Sequence, residues 1–195
     1  MSVVLASASP RRLELLKMIG IEDLEVIPSH ARETGGGDTP EENVTAIALE
    51  KCRDIAAGRD KNDIVIAADT LVYLDDIPLG KPRSKAQAIE MLMTLSGRHH
   101  RVHTGVAVIK GDMELTACES ADVYFRAITP EEAAAYAATG EPMDKAGAYC
   151  AQGIGAYFIE KIHGDFFTVM GLPLCRLGLM LKEVGLEIPS AGGHE

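Results

Sequence analysis

The chain has few cysteines, no long apolar run and a shortage of positive charge, and each lack removes a class of protein. Its four cysteines, Cys52, Cys118, Cys150 and Cys175, are scattered with no CxxC pair. Neither a zinc ribbon nor a disulfide framework fits that spacing, and reduced, mostly buried thiols are expected. No apolar stretch approaches the roughly 20 residues of a membrane span. A basic leader is also missing: Met1-Ser2 runs straight into Val3-Val4-Leu5-Ala6, so a cytoplasmic protein with no membrane partner is expected. Nineteen lysines and arginines against 29 aspartates and glutamates give a formal charge of -10. That is the wrong sign for a surface that coats nucleic acid, so any anionic ligand must meet a local basic site.

What remains is 195 residues, 47% of them hydrophobic. This is enough for one large domain or two small lobes without a disulfide or structural metal. No internal repeat or low-complexity linker interrupts it. Val3 to Ala6 reads as a short strand, followed by a helix from about Pro10 to Ile19 that Gly20 closes. Leu24 to Pro28 reads as a second strand. Ser29 to Asp38 has loop composition with three consecutive glycines, and is expected to be mobile before a ligand binds. Thr39-Pro40-Glu41-Glu42 is a capping box with proline at the first helical position. Val44, Ile47, Ala48, Cys52 and Ile55 follow at helical spacing and predict a helix to about Ala57.

Asp63 to Asp69 is an apolar strand that ends on an acid, and Leu71 to Leu74 continue it into a turn at Asp75-Asp76. Ser84 to Gln87 caps a helix running to Gly97. Val102 to Ile109 and Glu114 to Phe125 form a hairpin pattern around Lys110-Gly111-Asp112. Thr129 to Glu132 caps a helix ending near Gly140, and Gly171-Leu172-Pro173 opens a last one to about Val184. The tail 189–195 is expected to fray. Strands and helices mixed without strict alternation predict an α/β protein whose sheet holds both parallel and antiparallel pairs.

Four stretches carry chemistry. In Ser7-Ala8-Ser9-Pro10-Arg11-Arg12 two cations sit in the first turn of a helix, where the peptide dipoles favour anions. A phosphate would resolve the conflict, bound by the open amides, the Ser7 and Ser9 hydroxyls and the guanidinium forks. The plainer alternative is that Ser9 is only a cap and the arginines reach solvent or distant acids. Asp69 lies at the carboxyl end of an apolar strand, where open α/β sheets place ligands and a carboxylate can hold a divalent ion or polarise water. A turn aspartate would look the same.

Lys81, in Leu79-Gly80-Lys81-Pro82-Arg83, suits a phosphate oxygen but equally a solvated loop. Lys145 to Gly153 is glycine-rich without Walker or dinucleotide spacing. Within it, Gln152 offers an amide donor and acceptor to a base edge. His99, His100 and His103 alternate faces in an extended strand, which favours structural roles over metal binding.

SASPRRLELL, AADTLVYLDDIPLGKPRSKAQAIEMLMTLSG, HRVHTGVAV and DKAGAYCAQGIGAYFIEKIHGDFFTVMGLPL, in this order, resemble the Maf family of nucleoside triphosphate pyrophosphatases from about Val3 to Leu186. The resemblance implies a single Maf/ITPase-like domain over residues 1–195, with a mixed, bent central sheet flanked by helices and two lobes with a cleft between them. It implies a homodimer that hydrolyses a nucleoside triphosphate to the monophosphate and pyrophosphate with Mg²⁺ or Mn²⁺.

Residue by residue, Ser7, Arg11 and Arg12 match the family's phosphate-binding start, and Glu33, Lys51, Asp69 and Lys81 match its polar positions. Asp69, Glu33 and Lys81 are thereby the catalytic set. Asp69 is the proton acceptor, and Glu33 with Asp69 holds the metal. Ser7, Arg11, Arg12, Lys51, Thr70 and Gln152 bind substrate. The combination of Arg12, Thr70 and Gln152 resembles the branch acting on dTTP and UTP. A branch cleaving 7-methyl-GTP or another modified purine remains an alternative, as does a nucleotide-binding regulator of septum formation; the carboxylate at position 69 speaks against the latter. One departure stands out. The glutamate matched by Glu33 often sits in a D-x-D-E pattern, whereas here it follows His30-Ala31-Arg32 and leaves fewer carboxylates for an ion.

Overall fold

The computed structural model of the protein describes residues 1–188. The tail expected to fray, 189–195, lies outside the described residues. Seven strands form one mixed sheet: β1 (Val3–Leu5), β2 (Leu24–Val26), β3 (Ile64–Leu74), β4 (Ile77–Leu79), β5 (His99–Lys110), β6 (Met113–Phe125) and β7 (Ile159–Gly164). Their hydrogen-bonded order is β2-β1-β3-β5-β6-β7, with β4 paired to β3. β1 runs parallel to both β2 and β3, while β3 with β4 and β6 with β7 are antiparallel. Helices α1 (Pro10–Met18), α2 (Pro40–Ala56), α3 (Lys85–Leu95), α4 (Pro130–Thr139), α5 (Phe166–Met170) and α6 (Leu174–Glu183) flank it. No helix among the described residues is long and apolar enough to cross a membrane.

The chain divides into two compact units. The first comprises Met1–Asp69, Thr104–Glu119 and the chain from Gly171. Its core joins Val4 and Ala6, Ala48 and Cys52 of α2, and Val65 and Ala67 of β3. Both halves of the Thr39 capping box form, which fixes where α2 begins. Its path over the sheet depends on Gly105: a Cβ there would stand 2.4 Å from the Val44 carbonyl oxygen, so only glycine lets helix and strand approach this closely.

The second unit comprises Thr70–His103 and Ser120–Met170. Leu92 and Leu95 of α3, Phe125 of β6, Tyr136 of α4, Tyr149 and Phe158 belong to its core. The Asp75-Asp76 turn expected from the sequence has positive φ at both residues, 49° and 64°, as a two-residue hairpin requires. It returns the chain as β4, which the sequence reading missed. β7, α5 and three 3-10 turns at Glu141–Asp144, Ala146–Ala148 and Ile154–Phe158 are further elements it did not anticipate. The Ser84 cap accepts from the Gln87 amide at 3.1 Å, but the Gln87 side chain accepts from Arg83 N at 2.7 Å rather than closing back on Ser84.

Candidate active site

The first constellation grows out of β1. The strand is fully buried, and Ala6 N extends its pairing to Ile66 O at 2.8 Å, so Ser7 is delivered at the strand's carboxyl end. Its hydroxyl oxygen accepts from Ser9 N at 3.2 Å and from Arg12 Nη1 at 3.0 Å. Ser9 is the N-cap of α1, yet its side chain makes no capping bond, and the first turn carries no acid. The two arginines therefore sit at an uncapped, partially positive helix end.

Part of their cost is offset within the protein, because Arg12 Nε donates to the carbonyl of Gly171, just before α6, at 2.8 Å. Burial lowers the Arg12 proton affinity from the ordinary arginine value, as does the Arg11 charge, while Asp69 and Glu33 raise it. Asp69 and Glu33, two acids the sequence singled out, thus act on the charge of this helix end.

The second constellation is built by α2. Lys51 lies on the helix face that meets the end of β3, and its ammonium donates to Asp69 Oδ1 at 2.7 Å and reaches Glu33 Oε1 at 2.9 Å. Lys51 and Asp69 are largely enclosed, with side chains 15% and 13% exposed, whereas Glu33 is 55% exposed. Asp69 ends the buried run Ile64–Ala68, where the alternation of β3 places it on the face opposite to Thr70.

Glu33 belongs to the loop expected to be mobile, and α2 supplies that loop with fixed partners. Asp54 accepts from Ser29 Oγ and His30 N, Glu50 from Thr34, Asn43 from Gly36 N, and Glu42 from Asp38 N. Residues 43, 50 and 54 share one face of the helix and Glu42 lies in its first turn, so acceptors along α2 hold the loop along its length.

Among the described residues no group of three or more His, Cys, Asp or Glu side chains forms a metal-holding cluster. Glu33 and Asp69 nevertheless flank one cation, the Lys51 ammonium, with hard oxygen donors. Two carboxylates of this kind fit Mg²⁺ or Mn²⁺ when phosphate oxygens and water complete the shell, the usual way such ions accompany nucleotides. The three strand histidines do other work. His100 is buried against Tyr149, His103 meets Ser120, and His99 stacks on Tyr124.

In the second unit Thr70 directly follows Asp69. Lys81 is exposed beyond β4, and Gln152 is exposed in a turn between the second and third 3-10 segments. The two motifs are neighbours, since Gly147 N donates to Gly80 O at 3.2 Å and joins the lysine loop to the glycine-rich stretch. Sequence reasoning did not find the Gly171 carbonyl, a backbone partner 159 residues from Arg12. It also passed over the acceptors of α2, Asn43, Glu50 and Asp54.

The family model for Maf-like proteins matches residues 2–184. A relative from Caldicellulosiruptor bescii named dTTP/UTP pyrophosphatase is 44% identical over 192 residues, 95% of this chain and 96% of that protein. One from Bacillus anthracis with the same name is also 44% identical, over 97% of this chain and 98% of its own. Among solved structures, a HAM1 protein from Coxiella burnetii is 18% identical, covers 64% of this chain and 73% of its own, and has a TM-score of 0.44.

Proposed function

The chain belongs to the family of Maf-like proteins, and from that membership we propose that it is a nucleoside triphosphate diphosphatase hydrolysing dTTP and UTP to the monophosphate and pyrophosphate. The relatives named for this activity align along almost the full chain. The observation that carries the chemical reading is the Lys51 bridge, which holds Asp69 and Glu33 on one cation while both carboxylates act on the charge of Arg12.

In this reading Ser7, Arg11 and Arg12 grip the triphosphate, with Lys51 and Lys81 balancing its remaining charge. Asp69 orients the attacking water and takes its proton as the new oxygen–phosphorus bond forms at the α-phosphorus. The bond from that phosphorus to the bridging oxygen breaks, and pyrophosphate leaves with the electron pair. Glu33 and Asp69 would hold a divalent ion, which would neutralise charge on the phosphates and acidify bound water. Arg12, Thr70 and Gln152 select the base.

A cytoplasmic location is supported by all four cysteines remaining thiols. A homodimer is proposed on the family resemblance, as is a single two-lobed domain.

A substrate panel of dTTP, UTP, CTP, 7-methyl-GTP and ITP, with and without Mg²⁺ or Mn²⁺ and with pyrophosphate quantified, tests the proposal. dTTP and UTP should turn over fastest with one pyrophosphate per monophosphate. Release of orthophosphate, or a faster rate with 7-methyl-GTP or ITP, would overturn it.

A further inference from the structure

Two glycines follow Gln152 in Gln152-Gly153-Ile154-Gly155, and both press against one pair of side chains. Glu141 accepts three hydrogen bonds: from the Tyr136 hydroxyl at 2.7 Å, from Ile154 N at 3.0 Å and from Gly155 N at 3.0 Å. The Tyr136 oxygen in turn accepts from Cys150 N at 3.0 Å. The pair therefore holds the chain on both sides of Gln152, two residues before it and two and three residues after it.

A Cβ on Gly153 would stand 2.4 Å from Glu141 Oε2, and one on Gly155 would stand 2.6 Å from the Tyr136 oxygen. The glycines let the backbone close onto the pair. Burial raises the Glu141 proton affinity, but the bonds from Tyr136, Gly155 and Ile154 and the Lys145 charge outweigh it and hold the carboxyl below its ordinary value. Burial, with the hydrogen bond to Glu141, raises that of Tyr136. The carboxylate remains an acceptor and the phenol a donor at neutral pH.

We propose that Tyr136 and Glu141 are positioning residues that set base selectivity by fixing the Cys150–Gly155 turn; the proposal rests on the reading of Gln152 as the group that meets the base. A glutamine amide alone discriminates poorly. Uracil and thymine present an N–H donor beside a carbonyl acceptor, cytosine presents the reverse, and a 180° rotation of the amide satisfies either. Selectivity therefore requires the amide to arrive at one place and angle, and Gln152 itself lies in neither a helix nor a strand that could supply them. Three backbone amides bound by two side chains do so instead.

The test measures kcat and KM for UTP and CTP in the wild type and in Glu141→Gln, which keeps the shape but places an amide N–H against backbone donors. The ratio of kcat/KM for UTP over CTP should fall about tenfold through a rise in KM for UTP, with kcat for UTP held within about threefold. Tyr136→Phe removes one hydroxyl and should move the ratio in the same direction by less; it carries the test alone if Glu141→Gln does not fold. Glu141→Asp, too short to reach both amides, should not restore the wild-type ratio.

An unchanged ratio in folded variants, or equal losses on both substrates, would overturn the positioning role while leaving the pyrophosphatase reading intact. A wild type that makes no pyrophosphate from UTP would overturn that reading and this proposal with it.

Discussion

The Lys51 ammonium lies 2.7 Å from one carboxylate oxygen of Asp69, so the proposed proton acceptor is held by a charge partner from a neighbouring helix before any substrate arrives. Asp69→Asn preserves the size of the side chain and an oxygen that accepts from Lys51, but removes the capacity to take a proton from water. Turnover of dTTP and UTP should fall by at least about 10²-fold. Binding of a non-hydrolysable UTP analogue, measured by calorimetry, should change by less than about threefold. Retained turnover would reject Asp69 as the base.

Arg12 uses two nitrogens of one guanidinium on two different partners, the Gly171 carbonyl and the Ser7 hydroxyl. Lysine brings one nitrogen and no fork, so Arg12→Lys is not a conservative change here. It should destabilise the protein by about 1 kcal/mol, through a carbonyl that loses its donor, and raise KM for dTTP about tenfold or more. Thermal unfolding and steady-state kinetics check the two effects separately. A variant with unaltered KM would leave Arg12 as a purely structural tie.

Sequence patterns exposed most of the fold where one physical signal dominates a segment. The Thr39 and Thr129 boxes start helices at Pro40 and Pro130 because cap, proline and glutamate all favour the same backbone. β7 was illegible for the opposite reason: Glu160, Lys161 and His163 leave Ile159-Glu160-Lys161-Ile162-His163 without two-residue alternation, and its pairing with β6 comes from tertiary context. In the candidate site, Arg12 and Asp69 were legible because each breaks a local rule, a cation at a helix start or an acid closing an apolar strand. Glu50, Asp54 and Glu141 break none, since an acid on a helix or loop surface is ordinary, and their roles appear only once the chain brings backbone donors to them.

Glu50 tests the tethered loop. It accepts from both the amide and the hydroxyl of Thr34, next to Glu33, and the Thr34 hydroxyl is the main reason its carboxyl sits below the ordinary value. Glu50→Ala should speed amide hydrogen exchange at Thr34 roughly fivefold, the loss expected of one modest hydrogen bond. Exchange in the core of β3 should not change. Since Glu33, the proposed metal ligand, rides on this loop, the Mg²⁺ concentration for half-maximal activity should also rise. An unaltered exchange rate would mean that Asn43 and Asp54 hold the loop without Glu50.

His100 gives the protein a calculable weakness to acid. It is 2% exposed, with Nε2 2.9 Å from the Tyr149 hydroxyl and no hydrogen-bond partner for Nδ1 among the described residues. Burial chiefly, with help from the His99 charge and against that of Asp122, pushes its pKa down to about 4. A second ring N–H would have no acceptor.

The unfolded chain binds this proton at an ordinary histidine pKa near about 6.5. Above that pH neither state is charged and the contribution is whole. As pH falls towards about 4 the unfolded state alone takes the proton, and about 3 kcal/mol of stability drains away. Below about 4 both states carry it and the loss levels off. His100→Phe leaves Tyr149 without its partner and should be less stable at neutral pH. Its stability should nonetheless fall less steeply across this window, by one proton in the slope of unfolding free energy against pH. Parallel slopes in urea titrations of the two proteins would show that His100 is not the group responsible.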